Sequence, residues 1–311
     1  MPKNIFKIGT RNSPLAMVQA NMLKDVLEKA HTAIEFKIVP IQSNADWKKS
    51  EGEKPLSEEC GGKGLFAKEI ELALLDSEID CGAHSLKDMA CFLPEGLVIE
   101  HYLPRANPLD AFISRDYKTI EALPQDATIG TCSARRKAIA LSKRADLNIV
   151  PFRGNVQTRL DKIHARQVDA TFLAMAGLER LNIEDSAIHP LATTDMLPAC
   201  GQGIICVERR KNDNKAHEIL EAINCHNTAL CATAEREILK ILDGSCHTPI
   251  AAYAEINGDR LELKAEVYSL DGQQAFKEKL IDDCANIEDA RKIGQRVGET
   301  LKTQIPEGFL L

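Results

Sequence analysis

Apolar positions in the first third of the chain follow two alternating rhythms. Short dense runs at 6–10 (FKIGT), 36–41 (FKIVPI) and 81–85 (CGAHS) read as strands, whereas 13–31 and 64–80 read as helices. Strand, helix, strand at this spacing predicts βαβ units and a parallel or mixed sheet. From 110 the alternation begins again. Strands are expected at 111–115, 127–131, 148–153 and 170–177, with helices at 133–146 and 155–166. The run GIICVERR at 203–210 predicts one more strand. Its place after the second block suggests that the chain returns to the first lobe, so two crossings form a hinge.

Beyond 212 the pattern changes. Two helical stretches reach 243, and three strand-like segments follow at 248–256, 260–270 and 274–281, separated by Asn257-Gly258-Asp259 and Asp271-Gly272. Those separators are hairpin-turn signals. The middle segment alternates Leu261, Leu263, Ala265 and Val267 with Arg260, Glu262, Lys264 and Glu266, which gives it one apolar face. A three-stranded antiparallel sheet covered by a helix at 287–302 is the expectation. The predicted fold class is therefore α/β, with two mixed-sheet lobes around a cleft and a C-terminal α+β domain. Lobe 1 takes 1–103 and 203–222, lobe 2 takes 104–202, and the C-terminal domain takes 223–311.

Composition narrows the function classes. The 311 residues are 44% hydrophobic and 27% charged, with no apolar run long enough to span a bilayer. The N-terminus leads straight into a strand, so a cytoplasmic protein without a membrane partner is expected. The ten cysteines include no C-x-x-C pair and should be reduced thiols. Cys225-His226 and Cys246-His247 are adjacent rather than ligand-spaced, and no H-E-x-x-H occurs, so no metal is expected. A net charge of −7 argues against a nucleic-acid partner. Charge is unevenly spread, however. Between 131 and 166, nine lysines and arginines face two aspartates, a local excess of +7 that suits a small polyanion.

The residues with chemical potential fall where strands end, the edge at which doubly wound sheets bind ligands. Arg11 and Ser13 follow the first strand, and GAHSLKD at 82–88 crowds His84, Ser85, Lys87 and Asp88 into one loop. In the second block Thr131, Ser133, Arg135 and Arg136 follow one strand, and Arg153, Gly154 and Asn155 follow another. A hydroxyl and free N–H groups at a helix N-terminus, with arginines in the first turn, make a carboxylate or phosphate site. GGKGLF at 61–66 lacks the spacer and the Ser or Thr of a P-loop; it reads instead as a lid bringing Lys63 and Phe66 to the cleft. Gly201-Gln202-Gly203 reads equally as a ligand-contacting loop and as a plain tight turn before a strand. Cys246, in DGSCHTPI after a helix that ends at a glycine, has a loop position suited to a thiolate nucleophile.

Taken in order, TRNSPLA (10–16), GGKGLF, AHSLKD, IGTCSARR (129–136), FRGNVQTRL (152–160), LAMAGLERL (173–181), CGQGIICVE (200–208) and GSCHTPIAAYA (244–254) make the whole chain resemble the hydroxymethylbilane synthase, or porphobilinogen deaminase, family. The resemblance implies a monomer with a periplasmic-binding-protein-like pair of lobes and a dipyrromethane cofactor joined by a thioether to Cys246. It also implies a transferase of tetrapyrrole and haem biosynthesis, which condenses four porphobilinogen molecules head to tail with loss of ammonia and then releases hydroxymethylbilane by hydrolysis. Arg11, Arg135, Arg136, Arg153, Arg159 and Arg180 would grip the acetate and propionate groups of the rings. Ser13, Gln19, Lys63, Phe66, Ser85, Lys87, Thr131, Ser133, Gly154 and Gln202 would complete the cofactor and substrate contacts. Asp88 would steady the cation left when ammonia departs and shuttle the proton lost on rearomatisation, with His84 structural.

Several positions depart from the family pattern. Ser43-Asn44-Ala45-Asp46 stands for the usual Thr-Arg-Gly-Asp, Met89-Ala90 for Val-Pro, Cys132 for a serine and Leu109 for an arginine. The alternatives are a two-lobed binding protein for a small anion, which would need neither Asp88 nor Cys246, and an inactive homologue.

Overall fold

The computed structural model describes residues 4–42, 67–242, 248–306 and 308–309. Its elements run β1 (Asn4–Arg11), α1 (Pro14–Ala30), β2 (Ile34–Ile41), α2 (Lys68–Leu75), β3 (Cys81–Ser85), β4 (Leu97–Tyr102), β5 (Asp110–Ile113), β6 (Thr128–Gly130), α3 (Ala134–Lys143), β7 (Asn148–Val150), α4 (Val156–His164), β8 (Ala170–Ala174), α5 (Met175–Arg180), β9 (Ile188–Pro190), β10 (Ile205–Arg210), α6 (Asn214–Glu221), α7 (His226–Ile241), β11 (Ile250–Asn257), β12 (Arg260–Tyr268), β13 (Ala275–Asp283) and α8 (Ile287–Gln304).

Two five-stranded sheets share one design. The first has the order β2-β1-β3-β10-β4, and the second β7-β6-β8-β5-β9. In the first, β1 runs parallel to β2 and β3, while β10 is antiparallel to β3 and β4. In the second, β6 runs parallel to β7 and β8, while β5 is antiparallel to β8 and β9. The antiparallel strand is in each case the one that enters from the other sheet: β5 follows the first crossing and β10 the second. Apolar faces pack beneath helices as the periodicity requires. Phe6, Ile8, Leu23, Leu27 and Val207 form one core, and Phe112, Ile129, Ile139 and Phe172 another. Each large side chain so buried contributes about 1.5–3 kcal/mol.

The expected three-stranded sheet is present, in the order β11-β12-β13 and antiparallel throughout. Leu261, Leu263, Ala265 and Val267 are fully buried beneath α7 and α8. On the opposite face Glu262 pairs with Lys264 and Lys279, and Glu266 with Lys277. The two helices approach closely at Gly294, where a Cβ would stand 2.4 Å from the carbonyl oxygen of Ala234.

Some boundaries differ from the sequence expectation. The described part of the helix expected over 64–80 ends at Leu75, because Ser77 takes φ 60°, outside helical space, and the chain turns into β3. The strand expected over 170–177 stops at Ala174; Met175 donates its N–H to Leu109 O (2.9 Å), and the apolar run continues as a helix. The edge strands β4 and β9 carry no clean alternation and were not anticipated. Among the described residues no helix is long and apolar enough to cross a membrane.

The crossing segments run side by side, with Leu103 N–H on Ile205 O and Ala106 N–H on Gly203 O, both 3.1 Å. Helix α7 holds them there. Glu235, fully buried, accepts from Arg105 (2.5 Å) and the N–H of Gly201 (2.6 Å) and Ala254 (2.7 Å), while Arg105 also donates to Gln202 O (2.9 Å). One carboxylate therefore binds both crossings to the C-terminal sheet. Removing it would leave the largely buried Arg105 guanidinium without its counter-charge and two N–H groups without their acceptor. Glu235→Ala is expected to lower the unfolding free energy by about 3–5 kcal/mol in urea titration; a loss within the noise of a surface substitution would deny the knot this role.

Candidate functional site

Parallel pairing of β1 with β3 brings the ends of both strands to one edge. Arg11 closes β1 and Ser85 closes β3. Ser13 caps α1, its Oγ accepting from the Ala16 N–H at 3.4 Å. One turn along α1, buried Gln19 donates to Ser85 Oγ at 2.7 Å. The turn Leu86–Asp88 follows β3, anchored by the Leu86 N–H on Ile204 O (3.0 Å) and by the buried Leu86 side chain. With Leu86 inside, Asp88 projects outward, exposed, onto a recess that Arg11, Ser13, Gln19 and Ser85 also line. His84 reaches buried Glu208 at 3.2 Å.

A second recess lies between the two five-stranded sheets. Gln19, Ser85 and Lys87 face it from the first sheet's side, Arg180 from the second, and Gly201 and Gly203 from the crossing. Lys87 donates to Gln202 at 3.4 Å, and Gln202 donates to Pro108 O at 2.7 Å. Arg180 reaches Gly203 O at 2.7 Å, while its buried Nε has no hydrogen-bond partner among the described residues. Gly203 takes φ +85° and a Cβ there would meet the Ala106 carbonyl oxygen at 2.5 Å, so the turn needs glycine.

Lobe 2 adds cations at two helix starts. Thr131 Oγ1 accepts from the Ser133 N–H (3.1 Å), and Ser133 caps α3. Asn155 caps α4. Gly154 adopts φ +117°, and Arg159 donates to its carbonyl at 2.9 Å. Arg153 is almost fully buried, its carbonyl accepting from Lys162 at 2.9 Å. Cys132 turns inward, its sulfur accepting from the Phe152 N–H at 3.3 Å.

Arg135 and Arg136 are also buried, and both grip Asp110, Arg135 at 2.8 Å and Arg136 at 2.6 Å. Arg135 further donates to Leu197 O and Arg136 to Phe172 O. Asp110 is a residue that sequence reasoning missed. Burial alone would raise its pKa, but the two guanidiniums and Lys87 hold it down at about 2. Burial pushes Lys87 down to about 8, against the pull of Asp88 and with the push of Arg136. The field of Lys87 on Asp110 connects the lobes across the cleft. A second omission is Arg236 on α7, which donates to the carbonyls of Met89 (3.4 Å) and Ala90 (2.5 Å) and so clasps the loop that follows Asp88. Lys63, Phe66, Cys246 and the departures at 43–46 lie outside the described residues.

Comparison with known proteins decides the family. Residues 6–218 match the model "Porphobilinogen deaminase, dipyromethane cofactor binding domain", and residues 229–303 match "Porphobilinogen deaminase, C-terminal domain". The chain belongs to the porphobilinogen deaminase family. It is 46% identical to the porphobilinogen deaminase of Paracoccus denitrificans over 99% of this chain and 97% of that one. The porphobilinogen deaminase of Alkaliphilus metalliredigens is 41% identical over 95% of this chain and 92% of the relative. Solved structures overlap more loosely. The effector binding domain of BenM with benzoate gives a TM-score of 0.43 at 13% identity, over 71% of this chain and 90% of that one.

The family's cofactor is a dipyrromethane, and the described residues fit a carboxylate-bearing group of that kind. The buried Nε of Arg180 has no acceptor among the described residues, and Lys87 is a desolvated ammonium whose charge an arriving carboxylate would stabilise. Asp88 pulls the Lys87 pKa upward, so Asp88→Asn should move the Lys87 Nζ titration midpoint in NMR to below about 8. An unmoved midpoint would place Lys87 beyond the reach of Asp88.

Proposed function

We propose that the chain is a hydroxymethylbilane synthase, which joins four porphobilinogen units head to tail on a dipyrromethane held by a thioether to Cys246 and releases hydroxymethylbilane by hydrolysis. The observation that carries this reading is Asp88, exposed on a recess it shares with Arg11, Ser13 and Ser85, and next to Lys87, which faces the cations of the other lobe. An anion among carboxylate-binding groups has little use in a plain anion receptor. It is what stabilisation of a developing cation requires.

The division of labour follows the three sheets. Lobe 1 (1–103 and 203–222) supplies Asp88 and the Arg11, Ser13, Gln19, Ser85 and Lys87 contacts. Lobe 2 (104–202) supplies Thr131, Ser133, Arg153, Gly154, Arg159 and Arg180, with Arg135 and Arg136 fixed behind them by Asp110. The C-terminal domain (223–311) carries Cys246 shortly after the end of α7. When bound, the dipyrromethane supplies the nucleophilic pyrrole carbon that primes the chain. Arginine forks hold the acetate and propionate groups of porphobilinogen, which fixes the ring and removes much of the entropic barrier to carbon–carbon bond formation. Asp88 bears its charge beside the methylene carbon as the amine leaves and then accepts the proton released on rearomatisation. Gln202 ties Lys87 to the second crossing, so hinge motion is coupled to the carboxylate-binding ammonium. The enzyme works as a cytoplasmic monomer in tetrapyrrole synthesis.

Intact-mass analysis of protein purified from cells that make porphobilinogen tests this directly. The wild type should carry the mass of two linked pyrroles, and Cys246→Ser should carry none. Asp88→Asn should be loaded but turn over porphobilinogen slower by about two to four orders of magnitude. An unmodified wild type, or Asp88→Asn at full rate, contradicts the proposal.

A further inference from the structure

Away from the cleft, the edge strand β4 and helix α6 bring three metal-ligating side chains together. His217 and Glu221 are one helical turn apart on α6, the i,i+4 spacing that places both on one face. His101 on β4, fully buried, aims its Nε2 at both: 3.1 Å to His217 Nδ1 and 3.4 Å to Glu221 Oε2. All three donor atoms lie within 4.8 Å of one another. Two ligands bound to one tetrahedral zinc at about 2.1 Å stand roughly 3.4 Å apart, which the separations of His101 Nε2 from His217 and from Glu221 match.

A plain hydrogen-bond chain satisfies these groups less well. His217 Nδ1 is already 3.3 Å from the Arg209 guanidinium, which can donate to it. His101 Nε2 must then share that lone pair with Arg209 or turn to the carboxylate of Glu221 at 3.4 Å, while His101 Nδ1 is buried without a hydrogen-bond partner among the described residues. Arg209 also donates to Glu100 (2.6 Å) and to the carbonyls of Arg210 and Lys211, so it keeps its own partners if it yields His217. Glu100 and Glu221 against Arg209 leave the cluster one negative charge in excess. Glu221 is 58% exposed, which opens the group to solvent.

We propose that His101, His217 and Glu221 form a site for one borderline divalent transition metal, of the zinc, cobalt or nickel class, with water as the remaining ligand. Two imidazoles and one carboxylate select these ions over magnesium or calcium. The ion would cross-link the edge strand to α6 just ahead of the first crossing, which begins beyond Tyr102. Its role is structural, since none of the three residues lines the recess that holds Asp88. The sequence expectation of no metal rested on local ligand spacing, whereas the strand ligand here is 116 residues from His217, a separation no local motif reports.

Cobalt(II) added to the cofactor-loaded, metal-stripped enzyme is the test. One cobalt per chain should give visible d–d absorption without a thiolate-to-metal band, together with a higher Tm. His217→Ala and Glu221→Gln should each weaken cobalt binding by about tenfold or more and lose the Tm increment, while porphobilinogen consumption in the absence of metal stays unchanged. Absence of the cobalt spectrum, a thiolate band that assigns the ion to cysteines, or binding undiminished in both variants would overturn the site.

Discussion

Asp110 has no contact with solvent and lies between the guanidiniums of Arg135 and Arg136. The cation-rich cleft rests on that placement. Buried arginines without a counter-charge would cost several kcal/mol each, and a lobe with a local excess of positive charge would repel its own chain before any ligand arrived. One internal carboxylate relieves this, because two guanidiniums share it and one of their two charges is cancelled inside the protein, which leaves the outer cations to a ligand. The same residue opens β5, the strand that enters lobe 2 from the first crossing, so charge balance and chain path are settled at one point.

Helix α7 performs the corresponding task for geometry. Adjacent residues on it reach two different places: Glu235 binds the crossings, and Arg236 clasps the loop after Asp88. The helix also leads to the segment of Cys246. In the proposed chemistry the loop of the acid and both crossings are therefore referred to one helix. The metal site proposed on lobe 1 would stiffen β4 and α6 and leave this arrangement untouched.

Much of this was legible in the chain. Strands at the centre of a sheet covered by helices produce short dense apolar runs, and β1, β3, β6 and β8 announced themselves in that way. Strand-end polar clusters placed Arg11, Ser13, Ser85 and Asp88 on one edge because pairing of β1 with β3 is what a βαβ unit produces. The edge strands β4 and β9 escaped, since β4 is half-buried and its alternation is broken, although the edge strands β2 and β7 did not. The partner of Arg135 and Arg136 escaped as well. An arginine beside a helix cap looks the same whether it faces a ligand or an internal aspartate, and Asp110 lies 25 positions before Arg135 in sequence. Glu235 and Arg236 sit mid-helix, where charged residues normally read as a solvated face.

The central claim is that an internal carboxylate makes the cationic cleft tolerable. Urea unfolding of Asp110→Asn tests it, measured against the parent protein on the cofactor-free Cys246→Ser background and again in the loaded enzyme. The account predicts a loss of about 3–5 kcal/mol without cofactor and a smaller loss when the cofactor's carboxylates are present. An Asp110→Asn protein as stable as its parent in both states would contradict it.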